Sequence, residues 1–127
     1  MTDTRHPDIE IYVKDRSVER IKEWLISQSR DFSLLSSKGQ IHEFSMNFPE
    51  GPAEVMIHEK VAGKAWVSVW FKTNNTPWSK DLDCAHAAAQ GMDTQVRCIA
   101  SGWAEGDDPD EYWKVEGNEQ EKIQWHC

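Results

Sequence analysis

Cationic side chains are scarce in this sequence. Fourteen lysines and arginines stand against twenty-two aspartates and glutamates, a formal net charge of −8. A nucleic-acid binder needs cations to displace the counterions condensed on phosphate. Direct contact with DNA or RNA is therefore not expected, and neither is adsorption to an anionic membrane. Cysteine is scarce as well. Three residues, an odd number without framework spacing, read as reduced thiols in a cytoplasmic protein. No apolar run approaches the roughly 20 residues of a membrane helix, and the opening MTDTRHPDIE lacks the apolar centre of a signal peptide. Also missing are a GxSxG elbow, a phosphate-binding loop, a GxGxxG turn and any CxxC pair.

What is present fits a globular α+β chain. Hydrophobic residues make up 39% and charged residues 28% of 127 residues, the range of a single folded domain rather than a disordered chain. Seven tryptophans bring large areas that require burial or a partner.

Residues 8–14, DIEIYVK, alternate with period two. Ile9, Ile11 and Val13 fall on one side, Glu10, Tyr12 and Lys14 on the other, as in a half-buried strand. Ser17 can cap a helix with Glu19 in its first turn, and Val18, Ile21 and Leu25 then share a face to about Arg30, with Trp24 at its flank and Ile26 outside it. Phe32–Leu35 and Ile41–Phe48 flank SSKGQ as a hairpin, with Phe44, Met46 and Phe48 on one face. AEVMIHEKV and KAWVSVWFK make a second hairpin around Ala62 and Gly63. A three-residue loop there matches Val55 and Ile57 with Val67 and Val69, which leaves Met56, His58, Trp66, Ser68 and Trp70 on the opposite face.

A second helix is expected from Thr76 as cap and Pro77 as first residue to Gly91 as the left-handed end, with Trp78, Leu82, Ala85, Ala89 and Met92 in one stripe. A strand at Gln95–Ala100 and a hairpin of Tyr112–Glu116 with Lys122–Trp125 complete the order β-α-β-β-β-β-α-β-β-β. That order implies one domain over residues 1–127: a single antiparallel-rich sheet of about seven or eight strands, with two helices packed on one face.

Candidate chemistry is thin. Cys84 and His86 stand two apart on a helix and so point to nearly opposite sides, which excludes a shared ion. The acidic run from Glu105 to Glu111 fails the calcium-loop pattern in both registers, because Tyr112 and Trp113, or else Pro109, fall where oxygen ligands or glycine are required. No metal and no cofactor is implied. Cys84 and Cys98 read as buried thiols.

Two features point to binding rather than catalysis. Residues 101–127 hold eight acids against two bases, so most of the net charge lies in this last part of the chain. A basic protein partner docking on Glu105, Asp107, Asp108, Asp110 and Glu111 is the expectation that follows. Small acidic α+β proteins that neutralise a toxin, as bacterial immunity proteins do, work this way, an analogy of class only. The other feature is the face of Met56, His58, Trp66 and Trp70. Left open, it would suit a small molecule or a carbohydrate, with weak enzymatic activity in reach, or would close a homodimer. Covered by Trp103, Trp113, Trp125 and the last hairpin, it would become a second core layer.

Overall fold

The computed structural model describes residues 8–49, 51–60, 65–73, 75–78, 80–99, 111–117 and 119–125. Ten elements follow in chain order: β1 (Ile9–Lys14), α1 (Val18–Gln28), β2 (Arg30–Lys38), β3 (Ile41–Phe48), β4 (Gly51–Glu59), β5 (Trp66–Phe71), α2 (Asp81–Met92), β6 (Val96–Ile99), β7 (Glu111–Glu116) and β8 (Glu119–Gln124). The strands form one antiparallel sheet in the order β2-β3-β4-β5-β1-β6-β7-β8. The expected α+β architecture and the element order are both observed.

The alternation in β1 organises this sheet. Ile9, Ile11 and Val13 are fully buried on the helix side, while Glu10, Tyr12 and Lys14 point to the other. β1 pairs with β5 and with β6, so it joins a four-stranded meander to a three-stranded one. The parity of β1 thereby fixes the parity of every neighbour. Val67, Val69 and Phe71 of β5, Ala53, Val55 and Ile57 of β4, Phe44, Met46 and Phe48 of β3, and Val96 and Cys98 of β6 all join its buried side.

Both helices cover that same side for a topological reason. α1 carries the chain from β1 to the far edge strand β2, and α2 carries it from β5 across β1 to β6. The two crossovers run in opposite directions along the sheet and start from oppositely directed strands. A two-fold turn about the sheet normal interconverts them, so crossovers of one hand place both helices on one face.

The register of β4 and β5 pairs Val55 with Phe71, Ile57 with Val69 and Glu59 with Val67, centring the hairpin on residue 63 and giving the aliphatic face expected. The loop residues Ala62 and Gly63 lie outside the described residues. Ser17 caps α1 by accepting from the Arg20 amide at 3.1 Å, and Ile21, Trp24 and Leu25 are buried while Ile26 is exposed.

The ends of α2 differ from the sequence expectation. The helix starts at Asp81, not after Thr76, and Thr76 instead makes a buried local turn in which its Oγ1 accepts from the Trp78 amide at 3.2 Å. That turn drops Trp78 into the core, stacked on Trp24 (5.6 Å, 16°) and against Phe48 and Phe71. A hydroxyl that satisfies a local amide offers the backbone an alternative to the helix.

At the other end Asp93, not Gly91, takes the left-handed conformation (φ 52°). Gly91 is inside α2 for close approach: a Cβ there would stand 2.5 Å from the Trp24 indole. Arg20 and Arg16 then reach across from the β1–α1 region to the last carbonyls of α2, donating to Gly91 O (2.7 Å), Met92 O (2.8 Å) and Asp93 O (2.6 Å). They supply the positive charge that this helix end favours and that its own last turn lacks.

Gly91 gives a test of this packing. Helix propensity alone would make Gly91→Ala stabilising by about 1 kcal/mol. The contact with Trp24 reverses the sign, and urea unfolding should show a loss of about 1–3 kcal/mol. A stabilised variant would contradict the close approach of α1 and α2.

Candidate functional site

Hairpin β7–β8 closes one edge of the sheet with a turn at Gly117 (φ 61°), and its register sets which acids meet. Val115 is buried on the helix side, and Trp113 packs against the core on that side. Glu111 belongs to the same side, with its Oε1 3.9 Å from Lys122 Nζ. Glu116 and Glu119 are direct cross-strand partners, and Glu121 follows Glu119 on the same face, away from the helices. All three are exposed. Lys114 stands 3.8 Å from Glu121, whereas no cation of the described residues pairs with Glu116 or Glu119. The contact of Glu116 is instead a 3.4 Å hydrogen bond from Gln95 Nε2. Like charges directly opposite in an antiparallel pair repel, at a cost of about 0.2–1 kcal/mol. Of the acids singled out in the sequence, Glu105, Asp107, Asp108 and Asp110 lie outside the described residues.

Next to these carboxylates lies the aromatic face. Met56, His58, Trp66, Ser68 and Trp70 do share the side away from the helices. Trp66, however, is only 8% exposed. Trp125, just beyond β8, leans on it (4.9 Å) and meets Tyr12 (5.2 Å) and Tyr112 (5.1 Å) edge-on. The Arg97 guanidinium lies 4.6 Å from the Trp66 ring and 4.7 Å from the Trp125 ring, with Nε donating to Gln95 Oε1 at 2.9 Å. Removal from water lowers the pKa of Arg97. Trp70 stays half-buried, donating its indole N–H to Asp8 Oδ2 at 2.7 Å, while Ser68 donates to Glu10 Oε2 at 3.0 Å. Trp125 therefore covers part of this face, Trp113 packs on the other side of the sheet, and Trp103 lies outside the described residues.

A third constellation was not foreseen. His42 lies between Ser37 and Glu59: Ser37 Oγ is 2.6 Å from His42 Nδ1, and His42 Nε2 is 2.8 Å from Glu59 Oε2. The three residues come from β2, β3 and β4 and border a cleft of about 300 Å³ under the start of α1. Spacing along the chain hides this grouping. The signal that could have found it is the hairpin at SSKGQ: a two-residue turn at Gly39 and Gln40 pairs Lys38 with Ile41 and hence Ser37 with His42.

The metal candidates separate. Cys84 is fully buried in the core, while His86 points to the sheet edge, its Nε2 2.6 Å from Gln120 Oε1. Among the described residues no group of three or more His, Cys, Asp or Glu side chains is placed to hold an ion. His126 and Cys127, an adjacent pair of ligand-type residues in the sequence, lie outside the described residues. No helix among the described residues is long and apolar enough to cross a membrane.

Compared with protein-family models, with curated proteins and with solved structures, the chain matches none.

The thiols of Cys84 and Cys98 carry a prediction. Burial raises both well above the ordinary thiol pKa, with Asp81 and Asp83 adding to the effect. Only thiolate reacts with alkylating agents. Both residues should therefore resist iodoacetamide at pH 8 in the native protein and react fully in denaturant, read by peptide mass mapping. Rapid native labelling of either would contradict the burial.

Proposed function

We propose that this protein is a binding protein whose partner is a basic protein, docked on the acidic edge of the sheet at β7–β8. The observation that carries the reading is the exposed pair Glu116 and Glu119 with Glu121 beside it, three carboxylates on one face of an edge hairpin. A fold that keeps two like charges opposite each other accepts a repulsion that a lysine at either position would remove. A cationic partner relieves it on binding. The half-buried rings of Tyr112 and Trp125 lie on the same face, and partly exposed aromatics next to charge are the composition of an interface centre and its rim.

Glu105, Asp107, Asp108 and Asp110 extend the negative charge in the sequence, and Glu111 adds to it at the start of β7. The same field repels phosphate, so nucleic acid and anionic membranes are not the partners proposed. A cytoplasmic setting suits the free thiols of Cys84 and Cys98. A ligand platform or a dimer built on Trp66 and Trp70 is the weaker reading, because Trp66 is covered by Trp125 and Arg97.

The test is a chemical-shift titration with a lysine-rich peptide, followed by reversal of Glu116, Glu119 and Glu121 to lysine. Perturbations should concentrate on β7 and β8, weaken about tenfold or more in the triple variant, and fall steeply between low and physiological salt. Equal perturbation at the distant acids Glu19, Glu23 and Glu54, or unchanged affinity after reversal, would discard the reading.

A further inference from the structure

We propose that Ser37, His42 and Glu59 form a nucleophile, base and orienting carboxylate for acyl transfer, acting on small esters with a short apolar acyl group. The site lies at the opposite end of the sheet from β7–β8 and does not rest on the binding reading.

The distances suit one proton arrangement. A carboxylate at Glu59 only accepts, so in that arrangement the hydrogen lies on His42 Nε2, 2.8 Å away. A neutral ring of that tautomer carries its lone pair on Nδ1, which is the atom 2.6 Å from Ser37 Oγ. In that tautomer a serine hydroxyl donates to an imidazole whose other nitrogen is held by a carboxylate. This is the arrangement that activates a weak nucleophile and stabilises the imidazolium formed. Side-chain exposure grades in a useful way: His42 is 16% exposed and Glu59 33%, while Ser37 lies on the open edge strand β2.

The cleft of about 300 Å³ supplies the remaining parts. Val18, Leu34 and Phe44 give it apolar walls, and Leu34 is an otherwise unexplained exposed leucine at 61%. Ser17, Val18, Glu19 and Lys22 also line it, so the first turns of α1 border the same cleft. The amides of Val18 and Glu19 open the helix and have no acceptor within it, and the positive end of the helix dipole lies there.

In the proposed step Ser37 Oγ forms a bond to the ester carbonyl carbon as its proton passes to His42 Nδ1. The bond from that carbon to the leaving oxygen then breaks, and the oxygen departs with the electron pair and takes the proton from Nδ1. Water attacks the acyl-serine, gives a proton to Nδ1, and Ser37 Oγ leaves with that proton as the carboxylic acid is released. No oxidant, metal or further reactant is required.

The test uses the full chain with an alkyl fluorophosphonate and with p-nitrophenyl acetate and butyrate. Ser37 should be the labelled residue by peptide mass mapping. Ester cleavage should show a burst that Ser37→Ala abolishes with unchanged circular dichroism. His42→Gln should slow labelling roughly a hundredfold and remove the pH dependence of its rate. Glu59→Gln should slow it less while keeping that dependence. Absence of label on Ser37 in the folded wild-type protein would overturn the proposal whatever the variants do. Labelling equally fast in folded His42→Gln would overturn it as well.

Discussion

The parity of β1 is the constraint on which the rest of the molecule depends. One six-residue strand between two meanders sends its aliphatic side chains to the helices and Glu10, Tyr12 and Lys14 to the other face. Because side chains alternate along each strand and neighbours share a face, that choice propagates to all eight strands. A slip of one residue in β1 would bury Glu10 and Lys14 under α2 and expose three core positions. Folding energetics therefore forbid it, at about 1.5–3 kcal/mol for each aliphatic side chain lost from the core.

The two faces then have different chemistry. The helix side is apolar and close-packed, down to the contact between Gly91 and Trp24. The other side is a mosaic of rings and charges held by cation–π contacts, edge-on aromatics and polar pairs, with Arg97 between two indoles near its centre. Carboxylates collect at its β7–β8 edge. At the other end of the sheet, on the helix side, the largely exposed strand β2 and strand β3 frame the cleft at Ser37 and His42 with the start of α1. The two candidate sites thus lie at opposite ends of the sheet and on opposite faces.

Much of the fold was legible in the sequence because its signals are local. Alternation in β1, the Ser17 cap and the exposure of Ile26 required only period and capping chemistry. The β4–β5 register followed from the demand for one aliphatic face. What failed was decided by tertiary contact. Thr76 looked like a helix cap but turns Trp78 into an aromatic cluster with rings from α1, β3 and β5. Gly91 looked like a helix end but makes room for Trp24. The candidate sites were harder. Glu116, Glu119 and Glu121 were visible as charge, yet only the register makes two of them direct partners. Ser37, His42 and Glu59 share no motif, since three strands bring them together. The covering of Trp66 was expected from Trp103, Trp113 and Trp125 together; Trp125 does lie on it, but the β7 parity sends Trp113 to the other side of the sheet.

The proposed function requires that the carboxylates of β7 and β8 serve a partner and not the fold. The most direct measurement is the unfolding free energy of Glu119→Gln against wild type at low and at high ionic strength. Relief of repulsion from Glu116 predicts a variant more stable by about 0.2–1 kcal/mol at low salt, with the difference shrinking as salt screens the pair. A variant less stable than wild type at both salt concentrations would show that Glu119 holds the hairpin together, and would contradict the account.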